Sequence, residues 1–259
     1  MVILRMNEEM YAAKTFYNIG KGSQDVITDE ENLQHLQDEI LRQSLAAHCA
    51  EKFYDDCRKN HISIIDIEVE QAFILQVDDG SESQQAWMVA PLLDSGTMRK
   101  FSGTMEAGRN TDLTGCTCDA LAHFSSYDSG GTAVLVDIQG ITMTSDNARR
   151  RLVLFDLMFH SDGQGLGLGD AGVPGIKQFR AQHKCNKVCQ ALDLEPFMLA
   201  DTAEQNTEVN DVEYTPPPSP DHEPLHPELK KIKIAAQAAQ KIKDAAGRLT
   251  RSAAKMRDK

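Results

Sequence analysis

The sequence predicts an α+β fold of two lobes, residues 1–110 and residues 111–200, with a structural zinc ion in the second. In residues 1–110, short strand-like runs lie on both sides of one long helical pattern. In residues 111–200, a helical pattern precedes a further strand. A histidine and two cysteines near residue 185 have the spacing of zinc ligands. Strands and helices mixed in this way indicate the α+β class.

The first two elements are a strand at residues 10–17 and a helix at about 29–58. Alternating side chains predict the strand, with Lys14 facing inward. Apolar residues at helical spacing, Asp29 as a candidate N-cap and the lack of internal proline predict the helix. Lys14 has an alternative interpretation as a surface residue on an edge strand, and Glu39 as a solvated helix charge.

Three more strands follow, at residues 62–69, 71–77 and 87–93, with a polar turn from residue 78 before the third. They predict a small sheet that packs with the long helix. The third strand contains Met88 and Ala90 and leads into the connection between the two lobes.

The second lobe begins near Asp112 with a helix over residues 116–125 and continues with a strand at 132–136. Asp137 and Gln139 follow that strand, and alternation places both side chains on one face. A carboxylate and an amide oxygen so placed can bind a phosphate-bound Mg²⁺ or a substrate hydroxyl. A single aspartate after a strand also serves as an ordinary turn former.

Residues 161–172, the glycine segment, are unusually rich in glycine. A nominal GxGxxG occurs here, but it does not open an early βαβ unit and no acidic residue follows at the ribose distance, so a dinucleotide-binding interpretation fails. The segment is either a functional loop or a flexible connector. Its candidate functional residues are Gly165, Gly167, Gly169 and Gly172.

Three candidate zinc ligands, His183, Cys185 and Cys189, follow the glycine segment, and His123 is the nearest credible fourth. Four protein ligands leave no open position for water, so this zinc would be structural and its binding would contribute to folding. The alternative is that His183 caps a helix and the thiols pack as small apolar groups.

Beyond residue 200 the sequence loses aromatic and branched apolar residues, and residues 201–228 are predicted to be a disordered, proline-rich linker. Residues 229–259 place apolar side chains at helical spacing among lysines and arginines, which predicts a basic amphipathic helix. Such a helix can dock on a partner or an anionic surface, and a solvated helix of marginal stability is the alternative.

Charge and composition narrow the classes of protein. The net charge of −12 argues against a surface that binds nucleic acid, which requires clustered lysine and arginine. We see no apolar run of membrane-spanning length and no N-terminal signal, and the six cysteines are expected to be reduced. These features favour a cytoplasmic protein, with the nucleus as the alternative.

Four motifs in one order along residues 10–195 resemble those of the alpha-kinases, the family that contains myosin heavy chain kinase and elongation factor 2 kinase. The motifs are ALAHFSSYDSGG at 120–131, VLVDIQG at 134–140, Asp146, and the glycine segment with the cysteine and histidine run that follows it. The resemblance implies a two-lobed atypical protein kinase that transfers the ATP γ-phosphate to a serine or threonine of a protein substrate, with ATP and Mg²⁺ between the lobes.

The resemblance also implies roles for individual residues. Lys14 would contact the ATP phosphates and Glu39 would fix its orientation. Asp137 would be the catalytic aspartate, and Gln139 and Asp146 would bind nucleotide and magnesium. The strand containing Met88 and Ala90 would present backbone groups to the adenine, and the glycine segment would position the protein substrate.

Three departures from the family pattern leave other functions open. Ala90 stands where the family usually has glutamate, and residues 100–104 stand where it is rich in asparagine. Only residues 1–9 precede the lysine strand, whereas the family starts with additional strands and a glycine-containing phosphate loop. A zinc-stabilised pseudokinase that binds proteins is the main alternative, and a zinc-dependent nucleic-acid binder is the third.

Overall fold

The computed structural model describes residues 2–16, 27–76, 85–93, 96–144 and 150–197. Within these ranges the chain forms helices and mostly antiparallel sheets, which fits an α+β class. The elements in chain order are β1 (Val2–Met6), β2 (Glu9–Lys14), α1 (Asp29–Lys59), β3 (Asp66–Val69), β4 (Phe73–Gln76), β5 (Ala86–Pro91), β6 (Met98–Lys100), α2 (Leu113–Asp128), β7 (Ala133–Val136), β8 (Gln139–Thr144), β9 (Arg150–Leu154), β10 (Met158–Ser161), α3 (Gly172–Gln182) and α4 (Lys187–Ala191).

An antiparallel sheet of order β1-β2-β5-β4 forms the N-terminal part. The strand expected at residues 10–17 is β2, and it pairs with β1, an element that the sequence analysis did not assign. Lys14, at the end of β2, lies opposite Met88 on β5. The sheet therefore places the lysine next to the strand that leads toward the second half of the chain.

Helix α1 begins at a capping box. The Thr28 hydroxyl accepts a hydrogen bond from the Glu31 amide (3.2 Å), and the Glu31 carboxylate accepts one from the Thr28 amide (3.0 Å). The N-cap is thus Thr28 rather than the expected Asp29, which is the first residue of the helix. A threonine followed three residues later by glutamate was the sequence signal for this start.

Two hydrophobic clusters share helix α1. Leu36 and Ile40 pack in the smaller cluster with buried residues of β5 such as Met88. From Leu41 to Cys57, the buried face of the same helix packs in the larger cluster, which includes α2, β7 and β9. Because α1 contributes to both clusters, its middle residues lie where the two halves of the fold meet.

The second sheet has the order β3-β9-β8-β6, and β7 pairs separately with β10. Strand β3 was expected to join β4 and β5, but it runs parallel to β9 instead. The reason is visible in its packing, because Ile67 and Val69 contact the larger hydrophobic cluster rather than the smaller one. Strand β9 is thereby fixed between β3 and β8.

Among the described residues, no helix is both long enough and apolar enough to cross a membrane. The predicted linker at 201–228 and the predicted basic helix at 229–259 lie outside the described residues.

We predict that Phe53→Ala lowers the free energy of unfolding by about 3–5 kcal/mol, the usual range for a fully buried phenylalanine. Phe53 is 0% exposed and its ring meets that of Phe124 edge to face, with centroids 5.6 Å apart, so the variant leaves a cavity between α1 and α2. Urea unfolding measures the loss, with Leu113→Ala, at an exposed position of α2, as the control. Equal losses in the two variants would contradict this packing.

Candidate functional site

Lys14 forms an ion pair with Asp156, which lies in the turn between β9 and β10. Burial opposes the charge on Lys14, but attraction by Asp156, and less strongly by Glu39 and Glu70, outweighs burial and raises the lysine pKa. The carboxylates come from α1, from the residue after β3 and from the β9–β10 turn. We refer to Lys14, Glu39, Glu70 and Asp156 as the Lys14 cluster.

The two glutamates of the Lys14 cluster have raised pKa values. Burial raises the pKa of Glu39, Asp156 adds to the rise, and Arg42 and Lys14 oppose it. Burial also raises the pKa of Glu70 to about 7, against the attraction of Lys14 and with added repulsion from Asp156 and Glu39. The cluster therefore holds more negative charge than Lys14 neutralises, and a bound cation would stabilise it.

The pairing of Lys14 differs from the expected one. The family resemblance implied Glu39 as its partner, whereas the ion pair in the structure is with Asp156. Glu39 is within electrostatic range of Lys14, and its Oε2 lies 4.0 Å from Nη2 of Arg42. Asp156 is 142 positions from Lys14 along the chain, so no local pattern links the two.

Asp137, the expected catalytic aspartate, directly follows β7 in a left-handed backbone conformation (φ 52°). Its amide donates to the Gly103 carbonyl (3.1 Å), and Thr104 Oγ1 donates to its Oδ2 (3.4 Å). Lys100 Nζ lies 2.6 Å from its Oδ1. The residues at 100–104, which depart from the family pattern, thus hold the carboxylate on two sides.

Strand register brings Asp137, Gln139 and Asp156 to one edge. Val136 lies opposite Met158, and the Phe155 amide donates to the Gln139 carbonyl (3.3 Å). Asp156 also has a left-handed conformation (φ 51°), so both aspartates lie in sharp turns at strand ends. Side-chain oxygens at such an edge, next to Lys14, are suited to bind a metal-bound phosphate.

The remaining residues expected to contact the nucleotide have different positions. Met88 is 1% exposed in an interior strand, opposite Lys14 on one side and Ile74 on the other. Ala90 lies opposite Ala12 on β2, and the register of β5 with β4 ends one residue earlier. Asp146 lies outside the described residues.

The glycine segment is organised by one aspartate. Asp170 accepts hydrogen bonds from the Ser161 amide (2.8 Å), the Ser161 hydroxyl (2.5 Å), the Leu166 amide (3.2 Å) and the Gly172 amide (2.9 Å). These bonds fold the segment back onto the end of β10, and the Gly165 amide also donates to Ser161 Oγ (3.3 Å). The segment is therefore an ordered loop rather than the open connector of the alternative interpretation.

Three glycines of the segment, Gly167, Gly169 and Gly172, have positive φ angles, which favour glycine. Gly169 (φ 83°) passes so close to Met158 that an added Cβ would lie 1.7 Å from its methyl carbon. Met158 is also the residue whose sulfur lies 3.7 Å from Thr104 Oγ1. The glycine segment thus contacts, through Met158, the threonine that binds Asp137.

The four candidate zinc ligands come together, with one ligand atom from each within 4.8 Å of the others. Nδ1 of His123 lies 3.6 Å from Sγ of Cys185, and Nε2 of His183 lies 3.7 Å from Sγ of Cys189. Tetrahedral zinc, with bonds of about 2.3 Å to sulfur and 2.0–2.1 Å to nitrogen, requires a nitrogen–sulfur separation of about 3.6 Å. The geometry therefore fits a closed four-ligand zinc site.

Neighbouring groups favour neutral histidines with a nitrogen free for metal. The other ring nitrogen of His123, Nε2, lies 3.2 Å from the Glu195 carbonyl, a contact that leaves Nδ1 as the acceptor. Burial lowers the pKa of His183 to about 4, so that it is neutral at pH 7. Asn186 caps α4 by accepting from the Cys189 amide (3.2 Å) and donates to the Cys116 carbonyl (2.8 Å), which fixes the helix that carries the last ligand.

Comparison with known proteins gives consistent matches. A sequence model described as the alpha-kinase family matches residues 2–189. Alpha-protein kinase 1 of Dictyostelium discoideum is 42% identical over 88 residues, 34% of this chain and 6% of that protein. Eukaryotic elongation factor 2 kinase of Homo sapiens is 34% identical over 98 residues, 36% of this chain and 12% of that protein. The matched stretches are thus small parts of these relatives.

A crystal structure of the alpha-kinase domain of myosin heavy chain kinase A in complex with ADP has a similar fold. It superposes with a TM-score of 0.55 and 25% sequence identity, over 73% of this chain and 66% of the other. The matched region includes most of the residues that the structure describes.

We predict that the contribution of Glu70 to the stability of the protein falls as pH rises from about 5 to 8. Its pKa is about 7 in the folded protein against 4.5 unfolded, so between these values the folded state holds the extra proton and each rise in pH favours unfolding. Glu70→Gln removes this penalty and should gain about 1–2 kcal/mol relative to the wild type at pH 8.

Urea unfolding at pH 5, 6, 7 and 8 measures this difference. Glu51→Gln, at an exposed position of α1, is the control and should follow the wild type. Parallel pH curves for the wild type and Glu70→Gln would contradict the placement of Glu70 in a buried, negatively charged cluster.

Proposed function

Because the chain belongs to the alpha-kinase family, as the resemblance in its sequence indicated, we propose that it transfers the γ-phosphate of ATP to a serine or threonine hydroxyl of a protein. The observation that carries the proposal is the Lys14–Asp156 ion pair at the strand edge that also bears Asp137. Lys14 can then bind the ATP phosphates and Asp156 the metal ion, next to Asp137, which can bind the acceptor hydroxyl. Phosphoryl transfer requires these three functions together.

Lys14 is proposed to hold the ATP phosphates. Its paired carboxylate keeps it charged, and its partly exposed ammonium is a compact donor to phosphate oxygens. Glu39 would keep Lys14 oriented from the side of α1, which is a weaker role than the direct pairing first expected. Ala90 would present backbone groups to the base at the point where β5 passes the end of β4, and the same role assigned to Met88 stays a prediction, because Met88 is buried between β2 and β4.

Asp156 and Gln139 are proposed to hold magnesium, which supplies charge neutralisation to the phosphates when bound. The excess of carboxylates over cations in the Lys14 cluster fits a divalent ion. Asp146 was assigned this role from the sequence, and it stays a prediction because it lies outside the described residues.

Asp137 is proposed to orient the acceptor hydroxyl and to accept its proton. Thr104 and Lys100 fix the two carboxylate oxygens, so the side chain is held before any substrate binds. Lys100 is more than half exposed, and its charge can also offset negative charge on the transferring group. The glycine segment, which contacts this site through Met158, would position the protein substrate.

His123, His183, Cys185 and Cys189 are proposed to bind a structural zinc ion. The site connects α2 with the segment around α4, and four protein ligands leave no open position for water. It therefore stabilises the fold and has no place in the phosphoryl transfer.

The location and the tail are further proposals. We propose a cytoplasmic protein, with the nucleus as the alternative, in which residues 229–259 contact a partner or an anionic surface. These proposals rest on composition and on residues outside the described ranges.

We predict that Asp137→Asn lowers the rate of phosphate transfer at least about 10²-fold, the usual loss when a positioned general base is removed. The measurement is Mg²⁺- and ATP-dependent phosphate incorporation into myelin basic protein and into the chain itself. Asp55→Asn, at an exposed position on α1, is the control and should be as active as the wild type. No incorporation by folded, zinc-loaded wild-type protein would favour the pseudokinase.

We also predict that the purified protein contains about one zinc ion per chain and that Cys189→Ser lowers this content and the thermal stability together. Cys116→Ser changes a cysteine outside the ligand set and should retain the metal. Elemental analysis and thermal unfolding, with and without a chelator, measure both effects. If the wild type contains no metal and a chelator does not change its thermal stability, the thiols pack without zinc.

A further inference from the structure

Arg42 is a buried arginine that the proposed chemistry does not use. It lies on α1 one turn after Glu39 and is 6% exposed. Its Nη1 donates to the Leu166 carbonyl in the glycine segment (2.7 Å), and its Nη2 lies 4.0 Å from the Glu39 carboxylate. One guanidinium therefore reaches from the helix of the Lys14 cluster to the proposed substrate loop.

The contact with the glycine segment is close and specific. The Leu166 amide donates to Asp170, so Asp170 and Arg42 hold the segment at the two backbone groups of Leu166. The next residue, Gly167 (φ 92°), passes so near the guanidinium that an added Cβ would lie 2.2 Å from Arg42 Nη1. Only glycine fits there, because both the space and the backbone conformation exclude a side chain.

Charges on both sides keep the buried arginine ionised. Burial lowers the pKa of Arg42, and Glu39, Asp38, Asp170 and Asp156 oppose that effect. Glu39 and Asp156 belong to the Lys14 cluster, and Asp170 belongs to the glycine segment. A cation bound at the cluster would weaken the attraction of Glu39 and Asp156 for Arg42, which leaves Leu166, Asp38 and Asp170 as its principal partners.

We propose that Arg42 is a positioning residue that couples the nucleotide site to the substrate loop, so that Mg²⁺-nucleotide bound at the Lys14 cluster orders the glycine segment and raises affinity for the protein substrate. The inference rests on the proposed kinase function for its ligands, whereas the Arg42–Leu166 contact stands without it. Coupling of this kind is reciprocal, so bound protein substrate raises nucleotide affinity by the same factor.

Hydrogen–deuterium exchange of residues 163–169 tests the proposal in the full chain. Without ligand, Arg42→Met should exchange about tenfold faster than wild type in this segment, because a hydrogen bond from a charged group is lost. Mg²⁺-ADP should slow exchange there in the wild type and leave Arg42→Met unchanged. Arg58→Met, at an exposed end of the same helix, is the matched control and should resemble the wild type.

Enzyme kinetics give a second measurement, and its result would not change if Arg42 had only a structural role. Arg42→Met should raise KM for myelin basic protein about fivefold or more, with a smaller change in kcat and in the Kd for ATP measured without protein substrate. Arg42→Lys keeps the charge but not the two-nitrogen geometry, and it should show the same changes to a smaller extent. If Arg42→Met does not fold, Arg42→Lys decides the question by the same measurements.

Unchanged exchange of residues 163–169 in ligand-free, folded Arg42→Met would overturn the proposal. So would nucleotide protection of the segment that persists in that variant. A wild type that binds no nucleotide would defeat the proposed function instead, and the coupling with it, while the ligand-free comparison with Arg58→Met would still show whether Arg42 holds the segment.

Discussion

The ion pair between Lys14 and Asp156 is the contact on which the proposed site depends. Lys14 ends the second strand of the N-terminal sheet, and Asp156 lies in a turn between two strands of the other half of the chain. The pair is partly exposed, so its contribution to stability is modest. Its importance lies in position, because it brings the cation proposed to bind phosphate next to the strand edge that bears Asp137 and Gln139.

Helix α1 supports that contact from behind. Its first half packs with the N-terminal sheet and its second half with the larger core, so the residues between them face the junction. Glu39 and Arg42 occupy this middle stretch, and both are largely buried. A single helix that belongs to two cores is a direct physical route between the proposed nucleotide site and the proposed substrate loop.

Local patterns in the sequence predicted much of the fold. Strand-like runs of residues predicted β2, β4 and β5, and helix-like patterns predicted α1 and α2. The spacing of histidines and cysteines predicted the four candidate zinc ligands that converge near Cys185. The predicted pairing of β3 was wrong, and the strands β1, β6, β8, β9 and β10 were not predicted. Strand pairing is set by contacts between residues far apart in the chain, and single strands of three to six residues carry little pattern.

The same limit applied to the site. Asp137 stood out because an apolar strand precedes it and a family motif surrounds it, whereas Asp156 follows a similar strand without such a motif. The order of the motifs suggested Asp146, and not Asp156, as the metal-binding aspartate. Lys100 and Arg42 gave no local signal, since their roles come from contacts with Asp137 and Leu166 that only the folded chain creates.

Calorimetric titration of ATP, with and without Mg²⁺, into the wild type, Asp156→Asn and Asp146→Asn tests the central claim most directly. The proposed site predicts that Asp156→Asn loses the magnesium-dependent part of the affinity, whatever the effect of Asp146→Asn. Retention in Asp156→Asn with loss in Asp146→Asn would contradict the account and place the metal at residue 146.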